Sequence, residues 1–263
     1  MWDAKQYERF AADRARPFHD LAARVAADEP GYVVDLGCGT GETTATLLDR
    51  WPAARITGVD ASTEMLAEAD RYVVPGRLDF VHADLRSWQP AEPVDVLLSN
   101  ATFQWVPEHL DLLPGFVKWL SPGGWFAFQV PGNYRAPAHA ILTELRLSPR
   151  WRDQVGEGAD RHLDVHDPDV YLRTLAGLGC RVDAWETTYL HVLPGDDPVL
   201  EWIKGTGLRP VLAALDDADR DEFVGEYAAR LREAFPREHF GTILPFRRIF
   251  VVAQARLTRP PER

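Results

Sequence analysis

Along the chain, short continuous apolar runs alternate with segments in which apolar positions recur every three or four residues. The continuous runs read as strands buried on both faces, and the three-to-four recurrence reads as amphipathic helix. This pattern predicts helix over 4–27, broken at Pro17, then strand near 31–35, helix near 42–50 and strand over 55–59. Helix over 63–70, strands over 78–82 and 94–99, and helix over 108–119 follow. Pro122-Gly123-Gly124 then turns the chain into a strand over 125–130. A helix over 167–178, with Gly179 as its C-terminal stop, leads to an alternating strand over 182–192. A mostly helical segment, 196–235, precedes a last strand over 248–253. Strands separated by helical patterns make βαβ units, so the expected fold is α/β with a mostly parallel sheet. The chain carries no internal repeat, and 258–263 reads as a frayed tail.

The first strand runs into a glycine turn, Val33-Val34-Asp35-Leu36-Gly37-Cys38-Gly39-Thr40-Gly41, and a helical pattern follows at once. Glycine lacks a Cβ and tolerates positive φ, so such a turn lets bare backbone N–H groups approach a ligand. An acid two positions before the first glycine adds a carboxylate. Together they point to an adenosine-type cofactor across the end of a parallel sheet. The dinucleotide fingerprint needs its third small residue where this chain has Glu42. A glutamate at the helix N-terminus also competes with a pyrophosphate for that end of the helix. A ligand without phosphate avoids the conflict. A nucleotide-free structural turn is the alternative reading.

The second strand, Arg55-Ile56-Thr57-Gly58-Val59-Asp60, ends in an acid 25 residues after Asp35. A carboxylate there can accept both ribose hydroxyls. The third strand runs into Ala83-Asp84-Leu85, where Asp84 can accept the adenine amine and Leu85 offers a backbone N–H. The fourth ends in Ser99-Asn100-Ala101. Each acid alone also reads as a helix N-cap. Three acids at the ends of three consecutive strands, behind this turn, favour a shared site.

Composition narrows the function classes. A chain of 263 residues with 46% hydrophobic content can build a sizeable α/β domain. A net charge of −11 disfavours nucleic acid or an anionic membrane as partner. There is no apolar run of membrane-spanning length, and Met1-Trp2-Asp3-Ala4-Lys5 lacks a signal peptide's apolar core. Two cysteines make no disulfide framework, and no Cys/His cluster stands at zinc spacing, so no metal is expected. A reduced, cytoplasmic setting is expected. The oligomeric state is left open.

Asp35-x-Gly37-x-Gly39-x-Gly41 resembles motif I of the class I S-adenosylmethionine-dependent methyltransferases. The resemblance implies a Rossmann-like, doubly wound, seven-stranded sheet whose last strand pairs antiparallel in an edge region. It implies S-adenosyl-L-methionine as cofactor and S-adenosyl-L-homocysteine as its product. Methyl transfer from a sulfonium is an in-line displacement that needs alignment and exclusion of water. Aromatic faces and carbonyl or amide oxygens suit the sulfonium, and Asn100-Ala101-Thr102-Phe103-Gln104-Trp105 supplies them. The chain has no Asn-Pro-Pro-Tyr type sequence, and no His–Asp pair stands at an obvious base position. A base is unnecessary if the nucleophile is already ionised at neutral pH, as a carboxylate is with a pKa of about 4.

A carboxylate acceptor on an acidic protein needs local positive charge, and arginine meets a carboxylate bidentately. Candidates are Arg14, Arg16, Arg135, Arg209, Arg247 and Arg248, with Tyr7, His19, Tyr134 and His191 as hydrogen-bond partners. Lysine is confined to Lys5, Lys118 and Lys204, so arginine also carries the ordinary surface charge, and His191 also reads as a core histidine. About fifty residues separate the last two strands, far more than a hairpin needs. Within a single domain spanning 1–263, this insertion (about 193–245) and the N-terminal helices (about 4–27) are expected to form a helical lid that excludes water. A dimerisation element is the alternative.

Longer stretches are similar to the trans-aconitate methyltransferases. They are Tyr7 with Phe10-Ala11-Ala12-Asp13-Arg14-Ala15-Arg16-Pro17, the segment from Trp51 to Asp60 with Ser62, and the segment from Asn100 to Trp105. Thr206-Gly207-Leu208-Arg209-Pro210 and the closing Phe246-Arg247-Arg248-Ile249-Phe250-Val251-Val252-Ala253 complete them. The segment 147–165 departs from the family pattern. This resemblance implies formation of a trans-aconitate monomethyl ester. It assigns Asp35, Gly37, Gly39 and Gly41 to the amino-acid end of the cofactor, and Asp60 to the ribose. Ala61 would pack under the adenine, Asp84 and Leu85 would read its amine and edge, and Asn100 would join the cofactor site. Gln104 and Trp105 would line the methyl-transfer zone. Arg209, Arg248 and Arg14 would clamp the carboxylates that are not methylated, beside Tyr7, Tyr134 and His191. Another small acid, a phenol or an amine remains open as acceptor, as does a non-catalytic cofactor-binding module. A nicotinamide oxidoreductase is the weakest rival, because of Glu42.

Overall fold

The computed structural model describes residues 11–155, 165–205 and 207–257, with backbone alone at 11–14 and 209. Its strands are β1 (Tyr32–Leu36), β2 (Arg55–Asp60), β3 (Leu78–His82), β4 (Val94–Asn100), β5 (Leu120–Pro131), β6 (Arg181–Leu193), β7 (Arg237–Glu238) and β8 (Gly241–Gln254). They form one sheet in the order β3-β2-β1-β4-β5-β8-β6, with the two-residue β7 paired to β8. β1, β2, β3, β4 and β5 pair in parallel, and β8 runs antiparallel to β5. The order reverses between β1 and β4. In open α/β sheets the crevice beyond such a switch point is where ligands bind. Register sets Asp35 beside Gly58 of β2 and Leu98 of β4, so the three strands end together.

The helices are α1 (Ala11–Arg24), α2 (Glu42–Ala45), α3 (Leu47–Arg50), α4 (Thr63–Ala69), α5 (Leu113–Trp119) and α6 (Pro137–Arg146). They continue as α7 (Arg152–Val155), α8 (Pro168–Gly177), α9 (Pro198–Lys204), α10 (Arg209–Ala214) and α11 (Asp217–Ala234).

Several expected boundaries are corrected. α1 continues through Pro17 instead of breaking there. The proline removes one backbone donor, while Phe18, Leu21, Ala22 and Val25 hold the helix by a buried stripe at helical spacing. Residues 4–10 of that expected helix lie outside the described residues. The helix expected over 108–119 is a 3₁₀ segment, His109–Leu112, followed by α5. Pro114 has no N–H to give to Leu110, so the α-helix starts afresh with proline in its first turn. The helices α6 and α7 occupy a stretch to which the pattern assigned no element. Ala136 precedes α6 without a side-chain cap, which leaves Pro137 in the first turn as the start signal. The last strand begins at Gly241 and passes through Pro245. That proline lies beyond the last β5 pairing, Pro131 with Arg248, so β5 asks no N–H of it.

The described chain divides into two compact units. The first holds 14–131, 165–187 and 248–257. Its core packs Val34, Leu36, Leu97, Phe126, Phe128 and Val251, and every residue of β1 is buried. Phe103 stacks on Phe116 and meets Phe128 edge-on, with centroids 5.6 and 5.2 Å away. Truncating one such ring to alanine costs about 3–5 kcal/mol. The second holds 132–155, 188–205 and 207–247, with 11–13. Trp151, Trp202, Phe223, Tyr227, Leu231 and Phe246 form its core. Asp216 caps α11 by accepting the Asp219 N–H at 2.9 Å, and the Tyr227 hydroxyl donates to the Ala138 carbonyl at 2.9 Å.

Candidate active site

The glycine turn follows directly from β1. Gly37, Gly39 and Gly41 all adopt left-handed φ, at 74°, 56° and 72°. The three are not equivalent. A Cβ on Gly37 would lie 2.1 Å from Thr102 Oγ1, and one on Gly41 would lie 2.5 Å from the Phe80 ring. A Cβ on Gly39 would meet nothing within 4 Å among the described residues, so its backbone faces open space. The turn is tied down by Val59, whose carbonyl accepts the Gly37 N–H at 2.7 Å and the Cys38 N–H at 3.1 Å. Asp60 completes the tie, with Oδ2 accepting the Gly39 N–H at 2.9 Å and Oδ1 the Ser62 N–H at 2.8 Å. Ser62, not Asp60, caps α4, accepting the Met65 N–H at 3.3 Å.

Asp35 lies beneath the turn, 2% exposed, where it accepts the Thr44 hydroxyl at 2.6 Å. Burial pushes its carboxyl up to about 7, against the pull of the Thr44 hydrogen bond, and the neighbouring Asp60 charge adds to the rise. Burial likewise keeps Cys38 a protonated thiol, with Asp35 and Asp60 reinforcing it. Asp84 stands at the surface. Its Oδ1 accepts the Arg86 N–H at 2.9 Å, and its carboxylate pairs with the Arg86 guanidinium. These hydrogen bonds hold its pKa below the usual carboxylate range. The Leu85 side chain is anchored in the core, and the exposed Ala61 gives its carbonyl to His82 Nε2 at 3.1 Å.

Beyond β4 the chain takes a sharp turn. Ala101 has φ 54°, rare for a non-glycine residue, and its N–H donates to the Gln129 carbonyl at 2.8 Å. Gln104 is buried, and its Nε2 donates to the Ala101 carbonyl at 2.5 Å. Trp105 is 54% exposed. On the adjoining strands, Gln129 and Arg248 are both buried, and Arg248 Nη1 donates to Gln129 Oε1 at 3.2 Å. Asn100 Oδ1, Gln104 Oε1 and Gln129 Nε2 are buried atoms without a hydrogen-bond partner among the described residues. Each such atom costs about 1–3 kcal/mol unless a ligand satisfies it. An open glycine face, a carboxylate at the ribose position and buried polar atoms beyond β4 and β5 fit a polar, adenosine-bearing cofactor and its acceptor.

Tyr7 lies outside the described residues, and Arg14 and Arg209 are described in backbone alone. In the second unit, His191 is buried in an aromatic cluster, stacked on Trp202 with centroids 4.9 Å apart. Tyr134 meets His139 edge-on at 5.4 Å. His139 packs against Gly207, whose Cβ would fall 3.3 Å from its Cε1. Burial lowers the pKa of His139 to about 4, so its ring is neutral at pH 7. Arg247 donates to the Gly132 carbonyl at 3.2 Å, Arg16 pairs with Asp20, and Arg135 is exposed. Sequence reasoning gave no role to Gln129 or Thr44. Gln129 carried a signal, as the one polar residue in the apolar run from Trp125 to Val130.

Residues 33–124 match the family described as "Methyltransferase domain". The chain is 55% identical to the trans-aconitate 2-methyltransferase of Streptomyces avermitilis over 259 residues, covering 96% of each chain. It is 47% identical to that of Mycolicibacterium gilvum, over 97% of this chain and 100% of the relative. The chain belongs to the trans-aconitate 2-methyltransferase family. The Escherichia coli O1:K1 member is 42% identical over 96% of this chain and 98% of its own. Among solved structures, a Haemonchus contortus phosphoethanolamine N-methyltransferase 2 in complex with S-adenosyl-L-methionine superposes with TM-score 0.56 at 18% identity. The overlap covers 92% of this chain and 52% of that one. A putative methyltransferase from Bacillus halodurans gives TM-score 0.56 at 13% identity, over 93% of this chain and 99% of that one. These two likenesses describe the fold, which this family member shares with methyltransferases of distant sequence.

Proposed function

We propose that this chain transfers a methyl group from S-adenosyl-L-methionine to a carboxylate oxygen of trans-aconitate, giving a monomethyl ester and S-adenosyl-L-homocysteine. The observation that carries this reading is the buried Arg248 guanidinium donating to Gln129, whose strand neighbour Asn100 and the nearby turn residue Gln104 also present partnerless polar atoms among the described residues. It stands in a chain that matches trans-aconitate 2-methyltransferases over nearly its whole length.

Bound at the turn, S-adenosyl-L-methionine supplies a methyl group on a positively charged sulfur, which becomes a neutral thioether when the acceptor oxygen takes the methyl. Gly39 admits the cofactor's amino-acid end against bare backbone, and the buried Asp35 holds the turn from below through Thr44. Asp60 has lone pairs left for the ribose after accepting the Gly39 and Ser62 N–H groups. Ala61, Asp84 and Leu85 bound the adenine side. Asn100 and Gln104 offer amide oxygens to positive charge, with Trp105 beside them. Arg248 meets a free carboxylate, a role that the resemblance extends to Arg209 and Arg14 with Tyr7, Tyr134 and His191. The acceptor carboxylate is ionised at neutral pH, so no residue need remove a proton. Catalysis is then alignment and charge placement.

The substrate is a small polycarboxylate, and a cytoplasmic setting belongs to the same proposal. Among the described residues, no helix is long and apolar enough to cross a membrane. The test is transfer of labelled methyl from S-adenosyl-L-methionine to trans-aconitate, cis-aconitate, citrate and isopropylmalate. Selective labelling of trans-aconitate as a base-labile ester is expected. Retained cofactor binding without labelling of any acid would reject the acceptor assignment.

A further inference from the structure

Gln129 lies near the end of β5, the one polar residue in its apolar run from Trp125 to Val130, 1% exposed, opposite Phe250 of β8 and beside Asn100 of β4. Nothing in the packing of an apolar core calls for an amide there. A buried amide without its full set of partners is destabilising, so its presence asks for a role.

Chemistry orients this amide. Arg248 is a donor only, so the group it meets must be the amide oxygen. That contact, Nη1 to Oε1 at 3.2 Å, leaves Nε2 directed elsewhere, and Nε2 is buried without a hydrogen-bond partner among the described residues. Gln104 is oriented in the opposite sense. Its Nε2 is committed to the Ala101 carbonyl, which is an acceptor only, and its Oε1 has no partner among the described residues. Asn100, adjacent to Gln129 in the parallel register of β4 and β5, also presents a partnerless oxygen. The β4 end therefore offers acceptors, and the β5–β8 end offers donors. Positive charge belongs on the first side, and an anionic oxygen on the second.

We propose that Gln129 is a specificity-determining residue whose Nε2 donates to a free carboxylate of the acceptor, held in that orientation by Arg248. The inference rests on the carboxyl-methyltransferase reading and adds to it a residue that reads an oxygen of the acceptor away from the methylated carboxylate. A carboxylate oxygen satisfies Nε2, the donor left without a partner among the described residues. An acceptor of the same size with no oxygen at that point leaves a buried donor unpaired, which is the condition under which a polar site discriminates most strongly.

The test compares wild-type protein with Gln129→Met, which keeps the length and removes the donor, and Gln129→Glu, which sets a carboxylate in its place. Three quantities are measured for each: S-adenosyl-L-homocysteine affinity by calorimetry, KM and kcat for trans-aconitate, and the thermal midpoint. KM raised at least tenfold in Gln129→Met and further in Gln129→Glu, with cofactor affinity within twofold and kcat within threefold, is expected. An unchanged KM in Gln129→Met would overturn the subsite. Parallel loss of cofactor and acceptor affinity in both variants would make Gln129 a structural residue and overturn it equally. Wild-type protein that methylates no tricarboxylate would instead overturn the underlying reading, and the subsite with it.

Discussion

Asp60 Oδ2 accepts the backbone N–H of Gly39 at 2.9 Å, tying the end of β2 to the middle of the glycine turn. The residue assigned to the ribose thus also shapes the loop that receives the cofactor's other end. Asp60→Ala removes both effects, and cofactor affinity is expected to fall at least tenfold by calorimetry. Unchanged affinity would count against both roles.

The turn glycines separate folding from binding. Gly37→Ala drives a Cβ into Thr102 at positive φ and is expected to cost about 3 kcal/mol of stability. Gly39→Ala meets open space, so its cost is the backbone term alone, about 1–2 kcal/mol. Its cofactor affinity should nevertheless fall more than tenfold, because the added methyl occupies the face offered to the ligand. Denaturant unfolding and calorimetry on the two variants check this. Equal stability losses, or wild-type affinity in Gly39→Ala, would be the contrary result.

Asp35 makes stability fall as pH rises. Its folded pKa of about 7 lies above the ordinary carboxylate value, so the native state keeps its proton longer than the unfolded chain. The stabilising contribution is complete below about pH 4 and is lost as pH rises through 7. Asp35→Asn keeps an acceptor for Thr44 without a charge to bury. It is expected to be more stable than wild type at pH 8 by about 1–3 kcal/mol, with no such gain at pH 4. Unfolding curves at both pH values decide the point.

His139 acts in the opposite sense. Its folded pKa of about 4 lies below the ordinary imidazole value, so the unfolded chain takes up the proton first on acidification. Its contribution is complete above about pH 6.5 and is lost as pH falls through 4. His139→Gln should flatten the loss of stability between pH 6.5 and 4, seen in thermal midpoints across that range. An unaltered acid limb would contradict it.

Arg209→Ala is expected to lose most trans-aconitate turnover at subsaturating acceptor, while cofactor affinity stays within twofold. Wild-type turnover under those conditions would remove Arg209 from the carboxylate site.

The sequence by itself determined the parallel core and the position of its cofactor turn. Strands buried on both faces must be continuously apolar, and three left-handed positions at alternate residues of one turn admit little but glycine. Both constraints act on neighbouring residues, so they are written locally. The α6 helix was missed because Ala136 gives no cap, although Pro137 in its first turn and the helical spacing of Ala138, Leu142 and Leu145 carry a signal. The division of labour among the candidate arginines was also undetermined, since arginines look alike in one dimension. Only the fold buries Arg248 against Gln129, two residues 119 positions apart brought together by the antiparallel pairing of β5 and β8. Which polar groups end without partners is likewise a property of the packed structure, because a hydrogen bond left unmade is defined by what the rest of the chain places beside it.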